Sequence, residues 1–152
     1  MKSVKFSEKI VIHCAREQVF DFSQDYQKRL LWDTFLKKAE LMQGAAKAEK
    51  GVKAWCVAKN GFAMETEYVS FNRPKATAVK LTQGPYMFRQ FLGSWLFRET
   101  GVAQTEVTFL YSFQLRFPFS LLTGLIKNNL KTNVRKRLVD LKMNIERGRL
   151  SC

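Results

Sequence analysis

Along most of this chain, apolar and polar residues alternate with a period of two, and only the last third departs from that rhythm for long. Val4 to Cys14 places Phe6, Ile10 and Ile12 on one face and Lys5, Lys9 and His13 on the other, as a half-buried strand requires. From Ala15 to Asp25 the pattern changes to Val19, Phe20, Phe22 and Ser23, which predicts a short helix. Tyr26 to Asp33, with Leu30, Leu31 and Trp32, predicts a second short helix or turn. Six strand-like runs follow. Phe35 to Met42 and Val52 to Lys59 are separated by Gln43-Gly44 and Lys50-Gly51, and Asn60-Gly61 is a strong hairpin signal before Phe62 to Phe71. In that third run Phe62, Met64, Thr66 and Tyr68 share a face, with Glu65 and Glu67 opposite.

Asn72-Arg73-Pro74 ends the run, and Thr77, Val79 and Leu81 mark the inner face of the next strand. After Gly84-Pro85, Phe88 to Thr100 is apolar on both faces, which predicts cover on both sides or a bulge. Past Gly101 the alternation is clearest: Thr105, Val107, Phe109, Tyr111, Phe113 and Leu115 point one way, Glu106, Thr108, Ser112, Gln114 and Arg116 the other. Pro118 to Gly148 then reads as one helix. A proline suits its first turn and a glycine its left-handed cap. Its stripe is Leu122, Ile126, Leu130, Val134, Leu138, Leu141 and Ile145. About 30 residues at about 1.5 Å each give roughly 45 Å, enough to cross a small domain. The element order predicts an α+β fold. A curved antiparallel sheet of about seven strands wraps the long C-terminal helix, with two short helices after the first strand. That helix is the only element able to cover the sheet's apolar face.

The 152 residues, 46% of them hydrophobic, make a single domain spanning 1–152 with one core. Thirteen phenylalanines, three tryptophans and four tyrosines exceed what such a core needs, and surplus aromatics can line a cavity. The sequence shows neither a secretory leader nor an apolar run near 18 residues. Cys14, Cys56 and Cys152 are odd in number and widely spaced, which argues against a disulfide framework or a zinc site and suits a cytoplasmic location. Charge is the unusual feature, at +13. From residue 118 onward Lys127, Lys131, Arg135, Lys136, Arg137, Lys142, Arg147 and Arg149 face only Asp140 and Glu146. Such a field attracts anionic partners, although helix cations opposite an apolar stripe read first as a solvated face.

The opening strand, Val19-Phe20-Asp21-Phe22 with Asp25 and Trp32, Gly93-Ser94-Trp95-Leu96-Phe97, Thr105-Glu106-Val107-Thr108-Phe109 and the terminal helix carry a resemblance over nearly the whole chain. In these the chain resembles the START-related, birch-allergen-like (SRPBCC) superfamily with its helix-grip fold, in particular the polyketide cyclase/dehydrase and lipid-transport branch. The resemblance implies a cavity between sheet and helix that takes apolar molecules such as lipids, quinones, sterols or polyketides. A minority of members with this fold catalyse cyclisation or dehydration there. The motifs mark the fold and carry no invariant catalytic group.

Little in the sequence offers catalytic chemistry. His13 is the only histidine and is expected on the solvent face, so triads and histidine metal sites lack their parts. HExxH, GxSxG, GxGxxG and GxxxxGK[ST] do not occur. Asp21 and Asp25, four apart, read as solvated acids. No catalytic residue, metal or cofactor is expected. Tyr68, Tyr111 and Thr66 are the inward polar groups; a buried tyrosine hydroxyl needs a partner, which a ligand can supply. The candidate ligand-binding set comprises these three with Trp32, Phe62, Met64, Trp95, Phe97, Phe109, Phe113, Leu122 and Ile126. Tyr86, Met87 and Phe88, on a turn before Arg89, are candidates for a portal, a membrane contact or a lid over the cavity mouth. The basic helix lacks interleaved aromatics, and no nucleic-acid motif occurs, which disfavours a nucleic-acid partner.

Three functions remain open. One is a non-enzymatic carrier of a small hydrophobic molecule, brought to anionic membrane surfaces by its basic patches. Another is a cyclase or dehydratase in the same cavity; the inward faces show no carboxylate, and a closed pocket around Tyr111 with a buried acid would favour it. The third is a partner-binding module with a filled core, favoured if no pocket exceeds about 300 Å³.

Overall fold

The computed structural model describes residues 3–149. Its strands are β1 (Val4–Ile12), β2 (Leu36–Leu41), β3 (Lys53–Ala58), β4 (Ala63–Asn72), β5 (Ala76–Gln83), β6 (Phe88–Gly101) and β7 (Gln104–Leu115). The helices are α1 (Arg16–Gln24), α2 (Arg29–Trp32) and α3 (Thr123–Asn144). All seven strands join one antiparallel sheet in the order β1-β7-β6-β5-β4-β3-β2. Every pairing except β1 with β7 is between chain neighbours, so hairpins build the sheet and the long return to β1 closes it. Helices α1 and α2 connect β1 to β2 along the chain, α1 packing on β6 and β7 and α2 on β2 and α3, and α3 lies against β1. This is the α+β helix-grip arrangement.

The alternation predicted for the last strand is realised residue by residue. Thr105, Val107, Phe109, Tyr111, Phe113 and Leu115 are all buried, and the residues between them are partly exposed. A period of two turns one face of a strand uniformly inward, so the pattern needs no tertiary correction. At Asn60-Gly61 the Asn60 side chain accepts the Phe62 N–H at 3.0 Å, while Gly61 adopts φ +94°. That conformation carries no steric penalty for glycine.

Strand β6 resolves the two readings offered for its doubly apolar sequence. Phe91, Trp95 and Phe97 are buried, but Leu92 and Leu96 are exposed on the outer face, which no other described element covers. The strand is bulged instead, with register shifts at Phe88/Gln90 and Glu99/Gly101. Bulges bend a strand and raise its twist, which helps curl the sheet around α3.

The terminal helix is shorter than its apolar stripe suggests. Pro118 precedes a 3₁₀ turn, Phe119–Leu122, and regular α-helix begins only at Thr123. It ends at Asn144 in a π turn whose Gly148 adopts φ +95°, the left-handed conformation expected there. The stripe divides in two. Val134, Leu138, Leu141 and Ile145 are buried, Ile126 and Leu130 are partly buried, and Leu122 is exposed. Burial of each of the four inner residues stabilises the fold by about 1.5–3 kcal/mol.

The cations of α3 are less free than a solvated face would be. Glu8 of β1 lies 2.9 Å from Arg135 and 3.7 Å from Lys131, and Lys142 donates to the Val11 carbonyl at 2.6 Å. Arg137 departs entirely from that reading, because it is buried. Cys14, fully buried just past β1, is disulfide-bonded, contrary to the expectation that spacing argues against bridges; Cys56 is free.

Candidate functional site

Between the N-terminal half of α3 and the concave face of the sheet lies a cavity of about 540 Å³. The partly buried end of the α3 stripe forms one wall through Ile126 and Leu130. Strands β3 to β7 form the other, and Phe91, Trp95 and Phe109 give it an aromatic lining. Gly93 also lines it; a Cβ there would stand 3.4 Å from the Tyr111 ring, so the glycine leaves room for that ring beside the void. A volume of this size falls in the range usual for small-molecule pockets. A larger open groove of about 890 Å³ runs between α1 and the loop before β3, but exposed charges such as Glu40, Lys47, Lys50 and Arg73 line it.

The cavity runs from an exposed mouth to a closed inner end. Leu125 and Phe62 at the mouth are 70% and 56% exposed, whereas Arg29 and Arg137 are 5% and 7% exposed. Those two arginines converge on one carboxylate. Asp33, fully buried just after α2, accepts from Arg29 Nε at 2.8 Å and from Arg137 Nη2 and Nε at 2.9 and 3.2 Å, all through Oδ2. Its Oδ1 accepts the Phe35 N–H at 3.2 Å. Burial by itself raises the Asp33 pKa, but the two guanidiniums outweigh it and hold the carboxyl below its ordinary range. Aromatic rings flank both cations. The Arg29 guanidinium lies 4.9 Å from the Trp32 ring, and that of Arg137 lies 5.5 Å from Phe109.

Arg137 also donates to the Tyr111 hydroxyl at 3.0 Å. Tyr68 is satisfied differently, donating to Gln24 Oε1 at 2.9 Å with the Tyr26 hydroxyl 3.5 Å away. Burial pushes the Tyr26 and Tyr68 hydroxyls and the Cys56 thiol above their usual pKa values, so all three stay protonated at neutral pH.

Of the residues singled out in the sequence, Phe62, Met64, Thr66, Tyr68, Trp95, Phe109, Tyr111 and Ile126 lie on the cavity wall. Trp32, Phe97 and Phe113 do not; they are closed into the core, Trp32 edge-on to Trp95 at 6.1 Å. Leu122 is exposed and also off the wall, because the 3₁₀ turn takes it out of the α-helical register. Met87 in the turn before β6 and Phe88 at the start of β6 face the cavity, while Tyr86 is 73% exposed and stacks against Arg116 at 5.1 Å. Asp21 is exposed and pairs with Arg73 at 2.7 Å, far from any acid–base role, and His13 is exposed as expected.

Residues 3–146 match the family described as polyketide cyclase / dehydrase and lipid transport. The chain belongs to that family. Among curated proteins no sequence matches it. Solved structures with the same fold include a protein from Thermus thermophilus, 18% identical over 91% of this chain and 94% of that one, with a TM-score of 0.77. A START superfamily protein from Mycobacterium smegmatis is 12% identical over 90% and 98% of the two chains, with a TM-score of 0.68. The di-domain ARO/CYC BexL of the BE-7585A biosynthetic pathway is 19% identical over 92% of this chain and 49% of its own, also with a TM-score of 0.68.

In this member of the family, the Arg29–Asp33–Arg137 cluster is the part that the sequence pattern did not single out. Its signals were present. Arg137 stands three residues after Val134 and four before Leu141, on the stripe itself, and Arg29 precedes Asp33 by four.

Proposed function

We propose that the chain binds a small hydrophobic molecule in the cavity between sheet and α3, without transforming it. The observation that carries this reading is the cavity itself: about 540 Å³, apolar over most of its wall, with the buried Arg29, Arg137 and Tyr111 at its inner end. Membership of a family described by lipid transport as well as by cyclase and dehydrase activity supports it. Affinity would come from apolar burial, and orientation from Tyr111 and the arginines. Met87 and Phe88, turned inward beside the mouth, fit a lid better than a membrane-dipping tip.

A cyclase or dehydratase draws support from one observation, the buried Asp33 linked through Arg137 to Tyr111. A general acid or base works best with a pKa displaced toward neutrality. Asp33 is displaced the other way, and its Oδ2 already accepts three guanidinium N–H groups. Tyr26 and Tyr68 also move away from neutrality. The binding reading is therefore the stronger.

Native mass spectrometry of the purified chain, followed by denaturing extraction, tests it. A stoichiometric hydrophobic molecule released on denaturation is the expected result. A chain that stays bare after incubation with lipid, quinone and polyketide-like extracts, and that takes up no apolar dye, would defeat the reading.

A further inference from the structure

The inner end of the cavity carries a positive charge that the protein does not neutralise. Arg29 and Arg137 share Asp33, and among the described residues no Asp or Glu lines the cavity. The other acids near the cluster, Cys56, Tyr26 and Tyr68, are held protonated by burial. Two buried cations against one carboxylate leave one charge uncompensated, and a desolvated unpaired charge is costly to the folded state.

Hydrogen bonding shows the same deficit at particular atoms. Arg29 makes one side-chain hydrogen bond, from Nε to Asp33, and its two terminal amino groups have no acceptor among the described residues. Its side chain is only 6% exposed, and the residue lines the cavity. Tyr111 accepts from Arg137, which leaves its own proton to donate, and its ring also lines the cavity. Donors from two elements thus converge where an apolar molecule entering from the mouth would end.

We infer that the occupant is amphipathic and monoanionic, its carboxylate or equivalent oxyanion held by the free guanidinium nitrogens of Arg29 and the hydroxyl of Tyr111, its apolar body extending along α3 toward Leu125. Charge-assisted hydrogen bonds to a guanidinium are among the stronger ones, and a dry wall strengthens them further. Twelve residues separate Leu125 from Arg137, so at about 1.5 Å each the body has roughly 18 Å of helix to lie along. The inference rests on the binding reading above and adds the charge of the ligand.

Two dyes of one frame separate the claims. N-phenyl-1-naphthylamine is neutral, and 1-anilinonaphthalene-8-sulfonate adds one sulfonate. Fluorescence titrations of the full chain at about 0.5 M salt screen the exposed cations, leaving the buried ones. The sulfonate should bind roughly ten-fold tighter or more than the neutral dye. Arg29→Met leaves Asp33 paired with Arg137 alone, a balanced pair, and should bring the ratio of sulfonate to neutral-dye affinity down to about one. Tyr111→Phe should lower the same ratio by a few-fold. Equal affinities of the two dyes, or a preference that survives Arg29→Met, overturns the anion inference and leaves the cavity reading standing. Failure of the neutral dye to bind overturns both.

Discussion

Arg137 on α3 and Asp33 behind α2 meet through two hydrogen bonds of 2.9 and 3.2 Å, although 104 residues separate them. Both are buried, so this contact ties the C-terminal helix to the α1–α2 segment through charges rather than apolar packing. Charge in such a place is conditional: it is tolerated while paired and destabilising once a partner is lost.

Asp33→Asn is therefore expected to destabilise strongly. It leaves Arg29 and Arg137 side by side without a counter-ion, and loss of one partner from a buried pair costs about 3–5 kcal/mol. Urea denaturation of the purified variant measures this. A midpoint within error of the parent would show that the cluster is solvated.

That cluster also shows what the sequence concealed. Period-two alternation exposed β7 almost completely, because strand geometry sends every second side chain inward whatever its neighbours. The cavity-facing residues of β4, Met64, Thr66 and Tyr68, were legible for the same reason. Arg29, Asp33 and Arg137 were not. Charged side chains are almost always solvated, and only a partner from a distant segment makes their burial tolerable. Leu122 failed through geometry: it obeys the four-residue spacing, but the chain there is a 3₁₀ turn. Trp32, one of the candidate ligand-binding residues, is closed into the core from α2 instead.

The two halves of the α3 stripe should behave differently under truncation. Leu138 is 2% exposed, and Leu138→Ala should cost about 2–5 kcal/mol through lost burial and the void left behind. Leu122 is half exposed, and Leu122→Ala should change stability by no more than about 0.5 kcal/mol. Chemical denaturation of the two variants side by side checks the contrast; equal losses would contradict the division.

Acid should loosen the fold through Asp33. Its folded pKa lies below the ordinary carboxylate value of about 3.9, so the unfolded chain takes up the proton first. The stabilisation from its pairing is complete above that value and is lost progressively as pH falls through the lower folded pKa. Glu146, which desolvation raises but which Lys142 and the His13 N–H together lower by more, moves in the same direction, but its exposure weakens the contribution. Urea midpoints should be flat from pH 7 to about 5 and drop below about 4. A midpoint independent of pH down to about 2.5 would contradict this.

Filling the cavity should abolish binding without unfolding the chain. Thr66 is partly buried on β4 with its side chain on the cavity wall, and phenylalanine is as compatible with a strand as threonine. Thr66→Phe adds a ring into existing space rather than into a packed core, so the overpacking penalty of about 1–3 kcal/mol is largely avoided. Affinity for N-phenyl-1-naphthylamine should fall roughly ten-fold or more, because apolar burial is its main source of binding free energy. Circular dichroism and the denaturation midpoint should remain near those of the parent. Retained dye affinity in a folded variant would place the binding site elsewhere, with the open groove under α1 the next place to look.

Surface charge, unlike the buried cluster, should be sensitive to salt. The chain carries +13, and Tyr86 with Arg116 presents an exposed ring and cation beside the cavity mouth. Delivery to an anionic membrane would draw on such exposed charges, whose reach is about 10 Å at 0.1 M salt and only a few ångströms near 0.5 M. Association with phosphatidylserine vesicles should be strong at low salt and collapse toward roughly 0.5 M, while the dye preference set by Arg29 persists because that site is shielded from bulk ions. Tyr86→Ala should weaken vesicle association modestly and leave dye affinity unchanged, since the ring lies outside the cavity. Vesicle binding that ignores salt would assign membrane contact to apolar insertion at the turn. A dye preference that vanishes with salt would move the anion site from the buried arginines to the surface.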